Sequence, residues 1–173
     1  MKTGSIRDVL NLGFLNRCET LIISGSIHSD MNALARALGM KAEAEGAYVM
    51  TVNARALLDE KTEGDRGKLS AVKLVDVAKS RLLIIENFGT SRLSPSQAKL
   101  FVELVTGRIN RSSTIITSGH PLRHWASFMA GSAEGKRLFD SLLRDAKQIV
   151  IGTKTEEVKI RPAPFKVTMR AAH

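Results

Sequence analysis

Cysteine is nearly missing from this chain: Cys18 stands alone among 173 residues. No intrachain disulfide can form, and Cys18 lacks the companions that a cysteine-rich metal site needs. Long apolar runs are missing too. No stretch approaches the roughly 20 apolar residues of a bilayer-spanning helix, and the first residues lack the basic, apolar and small-residue succession of a secretory signal. The expected location is therefore cytoplasmic, with no membrane partner. Aromatic residues make up 5% of the chain, which predicts an aliphatic core. Acidic residues are scarce, 17 against 26 lysines and arginines, for a net charge of +9. Such a surplus releases counterions when it neutralises phosphates, so it points toward nucleic acid; the bland reading is a generally basic surface. Residues 1–54 balance five basic against five acidic side chains, and the surplus lies in 55–81 (+2), 108–147 (+4) and 154–173 (+3).

What is present is ordinary for a globular protein. Hydrophobic residues at 43% and charged residues at 25% suit a packed chain rather than a disordered one, and this length suits one domain. Thr20–Ser24 is a short apolar run entering a turn at Gly25, as a buried parallel strand does. Met31, Leu34, Ala35, Leu38 and Ala42 then fall on one helical face, which Gly46 can close. Residues 47–52 predict a second strand, and 55–78 a short helix, an exposed charged connection and another helix. Leu82–Ile85 is a fully apolar strand with a polar exit through Glu86 and Asn87, the place where α/β ligand sites form. Ser94-Pro95-Ser96-Gln97 is a capping box with proline at the first helical position. Ala98, Phe101, Val102, Val105 and Ile109 give that helix its buried face. Strands follow at 113–117 and 148–152, with a helix over 134–145 between them. Strands alternating with helices predict an α/β fold of three layers, a mostly parallel sheet with helices on both faces.

Three segments carry a more specific signal. Leu82-Leu-Ile-Ile-Glu-Asn-Phe-Gly89 resembles the Walker B strand of the DnaC/IstB group of AAA+ proteins, usually Leu-Leu-Ile-Ile-Asp-Asp-Phe-Gly. Ser113-Thr-Ile-Ile-Thr-Ser-Gly-His-Pro-Leu-Arg-His-Trp125 resembles that group's sensor-1 strand and following turn, and the helix Ala98–Arg111 between them fits its pattern of an apolar helix ending in basic residues. The resemblance runs from about Thr20 to Gly152. It implies an AAA+ core of strand order 5-1-4-3-2 over 20–152, flanked by a helical extension over 1–19 and a basic tail over 153–173, without a sizeable carboxyl-terminal lid domain. The 19 residues before the first strand are too few for the separate helicase-binding domain of DnaC-type loaders.

The same resemblance puts eight P-loop positions on Gly25-Ser-Ile-His28-Ser-Asp30-Met31-Asn32. A P-loop needs a lysine to neutralise phosphate and a hydroxyl to hold magnesium, and here Met31 and Asn32 stand in those places beside the negative charge of Asp30. Glu86 can still meet a metal, but Asn87 cannot help activate a water. Gly119 occupies the sensor-1 asparagine position, and Ser141 the arginine-finger position, with Arg144 one turn away. These changes imply a nucleotide site without hydrolysis and without a required cofactor, in which ATP binding alone remains open; a plain helix start capped by Ser29 or Asp30 is the alternative. His120 and His124 lack a third ligand, so no metal site is expected.

The resemblance also supplies partners. Lys61, Arg66, Lys68, Lys73 and Arg92 are candidates for sequence-independent contact with DNA phosphates. Arg108, Arg111, Arg123 and Arg144 are candidates for either DNA or a neighbouring subunit of a homo-oligomer. Met1–Leu15, with Ile6, Val9, Leu10 and Phe14 at near-helical spacing, reads as a docking helix or as a segment packed on its own core. The first expectation is a non-hydrolysing helicase-loader-like protein of a phage or other mobile element, binding single-stranded DNA and a DnaB-type replicative helicase. The alternatives are an IstB-like transposition helper that binds DNA and partners a transposase, and a weak ATPase with a rebuilt site.

Overall fold

The structure is a computed structural model that describes residues 6–26, 30–58, 75–127, 129, 133–151, 158–161 and 167–168. Five strands form the parallel part of one sheet: β1 (Thr20–Gly25), β2 (Val49–Asn53), β3 (Leu82–Phe88), β4 (Ser113–Ser118) and β5 (Lys147–Ile151). Their order is β2-β3-β4-β1-β5, which is the expected order read from the other edge. Beyond β5, the antiparallel strands β6 (Val158–Arg161) and β7 (Val167–Thr168) extend the sheet. These two strands fall in the segment expected to be a basic tail, whose prolines and charges conceal a strand too short to show a period.

Each interior strand is apolar on both sides because each is covered on both sides. Leu21, Ile23, Leu82, Ile84, Ile115 and Ile149 face one core with α1 (Ile6–Leu10), α2 (Gly13–Asn16) and α3 (Met31–Ala44). Ile22, Leu83, Ile85, Phe88 and Ile116 face a second core. That core is closed by α4 (Ala54–Leu58), a helical turn over 75–79, α5 (Pro95–Arg108), a 3-10 helix (Leu122–Ser127) and α6 (Ala133–Asp145). Among the described residues no helix is long and apolar enough to cross a membrane.

Of the amino-terminal segment Met1–Leu15, residues 1–5 lie outside the described residues, and residues 6–15 pack on their own core, with Val9, Leu12, Phe14 and Leu15 buried there. An ionic cluster fastens it, with Arg17 paired to Asp8 and Glu19, and Lys147 of β5 paired to Glu19 at 2.7 Å and Asp8 at 3.2 Å. The capping box of α5 forms as its sequence predicts: Gln97 N donates to Ser94 Oγ (3.2 Å) and Ser94 N to Gln97 Oε1 (2.8 Å). Three of the eight aromatics pack together behind the sheet's carboxyl end. Phe88 stacks on Phe101 at 4.3 Å and packs on Trp125 at 4.5 Å, and the Trp125 indole donates to His120 O (3.1 Å). This anchors the turn after β4.

Candidate functional site

The carboxyl ends of β1, β3 and β4 converge on the start of α3, at the crevice where parallel sheets bind ligands. Alternation along β3 sends Leu82 and Ile84 toward α3 and Leu83 and Ile85 away from it, so Glu86 faces α3 by the same rule. Asn87 should then face away. It does not, because β3 bulges there: the four residues from Ile85 to Phe88 lie opposite three of β4, from Ile116 to Ser118. Asn87 adopts the left-handed conformation (φ 60°), which asparagine tolerates better than most residues. The bulge thus adds Asn87 to the side that Glu86 already faces, toward α3, and returns Phe88 to the opposite core.

Two closed sets of contacts result. Arg36, one turn after Asn32 on α3, grips both carboxylate oxygens of Glu86, Nε to Oε1 at 2.6 Å and Nη2 to Oε2 at 2.7 Å. Glu86 is buried, whereas the Arg36 side chain is largely exposed, and the carboxylate raises the pKa of the guanidinium. Beside this pair, Asn32 Nδ2 donates to Asn87 Oδ1 (2.9 Å), Thr117 Oγ1 donates to Asn32 Oδ1 (2.6 Å), and Asn87 N donates to Thr117 Oγ1 (2.9 Å). The three residues satisfy one another in a ring.

The remaining candidate residues of this site are spread around it. Met31 is buried in the core under α3, so the residue at the lysine position points into apolar packing. Gly25 ends β1 and is half-buried; Asp30 is the N-cap of α3 but its side chain makes no capping hydrogen bond, against the expectation for that residue. Gly119 lies in the turn after β4. His28 and Ser29 lie outside the described residues. Ser141 and Arg144 sit near the end of α6, where Ser141 shares a hollow of about 60 Å³ with Thr20, Asn110 and Asp145. That is the amino end of β1, the far end from Gly25. Arg144 is exposed and pairs with Asp145 at 3.1 Å.

The basic candidates separate likewise. Arg92 is exposed in the turn after β3 and Arg123 in the 3-10 helix that follows β4, on the side of the Glu86 cluster, and Arg123 Nε donates to His124 Nε2 (3.3 Å). Arg111 is exposed in the turn before β4, at the opposite end. Lys61, Arg66, Lys68 and Lys73 lie outside the described residues. Arg108 corrects the sequence expectation. It is 5% exposed and buried against Val77, Ser80, Ser113 and Thr114, so it meets neither DNA nor a neighbouring subunit. Sequence reasoning missed Arg36 and Thr117. For Arg36 the signal was there, because residues four apart share a helix face, and this one shares it with Asn32. Among the described residues no group of three or more His, Cys, Asp or Glu side chains is placed to hold a metal ion.

Known proteins match this arrangement. The family model described as IstB-like ATP binding protein matches residues 2–162. The insertion sequence IS5376 putative ATP-binding protein of Geobacillus stearothermophilus is 28% identical over 157 residues, 90% of this chain and 61% of that protein. The insertion sequence IS21 putative ATP-binding protein of Pseudomonas aeruginosa is 24% identical over 154 residues, 89% of this chain and 58% of that protein. The chain thus spans about three fifths of the length of these relatives. Among solved structures, the DnaC helicase loader superposes with a TM-score of 0.64 at 22% identity, covering 87% of this chain and 91% of the loader. DnaI superposes with a TM-score of 0.71 at 16% identity, covering 87% and 86%. At such identities the structures establish a common fold. With the sheet order of an AAA+ core and a family model that spans nearly all of it, the chain belongs to the family of IstB-like ATP-binding proteins.

Proposed function

We propose that this chain acts by binding and not by hydrolysis, as an IstB-like protein that handles DNA beside the transposase of an insertion sequence. The observation that supports the first half is the Arg36 grip on both oxygens of Glu86. MgATP, which the family description implies, calls for a carboxylate open to a metal, a hydroxyl beside it, and a lysine on the phosphates. The residues present do not fit that group. A metal meeting Glu86 would compete with a guanidinium for the same two oxygens, Asn32 is engaged with Asn87 and Thr117, and Met31 is held in the core. No step of phosphoryl transfer is therefore assigned to any residue.

The second half rests on which proteins match by sequence. These carry insertion-sequence names, whereas the helicase loaders share the fold. That favours the transposition reading over the helicase-loader reading that the sequence alone put first. The surplus positive charge supports DNA contact in either case.

Phosphate release from MgATP should stay at background across a range of protein concentrations. The thermal midpoint should also stay unmoved by MgATP, since a ligand at a hundredfold excess over its Kd stabilises by about 2.7 kcal/mol, roughly 6 to 10 °C for a chain of this size. Release that rises with protein and disappears in Glu86→Gln would establish an ATPase and sink the proposal. Co-purification with a transposase supports the transposition role; recovery of a DnaB-type helicase together with single-stranded DNA would transfer the chain to the loaders.

A further inference from the structure

The two edges of the sheet are built differently. At one edge β7 is two residues long, and the neighbouring β6 carries Lys159 and Arg161. Short edge strands and positive charge are ordinary devices that keep an edge from pairing with another chain. At the other edge β2 is Val-Met-Thr-Val-Asn, with no charge, no proline and no bulge against β3. Among the described residues no strand pairs with its outer side. Thr51 is exposed in the middle of it. Two of the four exposed large apolar side chains among the described residues flank the strand: Tyr48 just before it, and Met40 on the flank of α3 where Gly39 lies over Val49. The main chain decides which groups this edge offers. Tyr48 O accepts from Arg81 N (2.9 Å) and Leu82 N (3.2 Å), so the Tyr48 carbonyl turns toward β3. Peptide groups alternate along a strand, so Met50 and Val52 turn inward as well, and Val49, Thr51 and Asn53 direct theirs outward.

We propose that the outer edge of β2 is a self-association surface, on which a second copy of this chain lays its own β2 antiparallel about a two-fold axis at Thr51. In that register Thr51 stands opposite Thr51 of the second copy as a hydrogen-bonded pair, with Val49 opposite Asn53 and Met50 opposite Val52. Opposed side chains then share a face, since Val49, Thr51 and Asn53 lie on the α3 side of the sheet while Met50 and Val52 pack with the other core. Centring on Thr51 pairs all five residues; any other centre leaves part of the strand unpaired. Opposed threonines stabilise an antiparallel pair, and no like charges meet. The contact uses one surface twice, so it closes at two copies, unlike a head-to-tail contact. It does not depend on whether the chain hydrolyses ATP.

Sedimentation velocity of the full chain, without nucleotide or DNA, reads the association. Wild type is expected to dimerise reversibly, with a dimer fraction that rises with concentration up to about 100 µM. Thr51→Lys sets two ammonium groups against each other across the axis and is expected to weaken the dimer by roughly tenfold or more. Its thermal midpoint in dilute solution should match wild type, because the Thr51 side chain is exposed. Cross-linking locates the contact. With the single native cysteine removed by Cys18→Ser, Thr51→Cys is expected to give a covalent dimer with a short bifunctional maleimide, and Lys136→Cys, exposed on α6, is not. A monomeric wild type overturns the inference, as does a dimer that survives Thr51→Lys or one that Lys136→Cys cross-links in place of Thr51→Cys. Should Thr51→Lys fail to fold, the two cysteine variants decide the matter.

Discussion

A guanidinium buried by α5 makes five hydrogen bonds, every one to a carbonyl or hydroxyl oxygen. Arg108 Nε donates to Thr114 Oγ1 (3.0 Å), Nη1 to Val77 O (2.6 Å) and Ser80 Oγ (3.2 Å), and Nη2 to Ser80 O (3.0 Å) and Ser113 O (2.8 Å). Burial pushes its pKa down to about 10, which leaves it protonated at neutral pH. The planar fork therefore ties the 75–79 turn, the start of β3 and the start of β4 to one helix end. Arg108→Met removes the donor to three buried carbonyls, of which Val77 O keeps the Ser80 hydroxyl, and should cost about 3 kcal/mol in urea unfolding. Arg108→Lys should recover part of that, while Arg144→Ala on the surface should stay within about 0.5 kcal/mol. Equal midpoints for Arg108→Met and wild type would show that the network adds nothing. The sequence offered a clue to this burial, since Arg108 falls three residues after Val105 on the apolar stripe of its helix. A basic helix end is usually solvated, and that habit hid it.

The amino-terminal helices α1 and α2 depend on charge as well as on apolar packing. The Arg17 hydrogen bond holds the Asp8 carboxyl below its usual range, aided by Lys147 and opposed by burial. For Glu19 burial pushes upward, but the hydrogen bonds from Arg17 and Lys147 outweigh it and the net shift is downward. A carboxylate with a lowered folded pKa adds stability that is complete above its unfolded value and is lost as pH falls through the folded one. The unfolded values are 3.8 and 4.5. Stability toward urea should thus be level near neutrality and decline below about pH 4.5, and the decline should be shallower in Asp8→Asn/Glu19→Gln. An identical acid limb in the double variant would remove the cluster from the explanation. Elements of this kind differ in how far they can be foreseen. The capping box at Ser94 and the apolar faces of α3 and α5 are local patterns and were legible. The bulge at Asn87 adds one residue to β3 without disturbing any period, so it shows only where α3 and β4 receive the turned side chains.

At the scale of the molecule, strand order followed from the Walker B and sensor-1 resemblances, while the sheet's extension through β6 and β7 did not, because two short strands among prolines carry too few residues for a pattern. The charge surplus was legible as a number and silent about direction. The fold supplies the direction by separating basic side chains that the sequence had grouped: Arg92 and Arg123 follow the carboxyl ends of β3 and β4, and Arg111 and Arg144 lie toward the opposite end of the sheet. DNA held by phosphate contacts releases about one counterion per neutralised phosphate, so the logarithm of its affinity falls linearly with the logarithm of salt. If the proposed DNA contact lies at the carboxyl end, Arg92→Ala and Arg123→Ala should each weaken binding to a random-sequence duplex and flatten the salt dependence by about one unit. Arg111→Ala and Arg144→Ala should leave that slope unchanged and alter self-association instead. Fluorescence anisotropy between low and moderate salt measures both. The reverse assignment, with the slope falling in Arg111→Ala or Arg144→Ala alone, would place DNA at the amino end of the sheet. The Arg36 and Glu86 cluster would then face away from it.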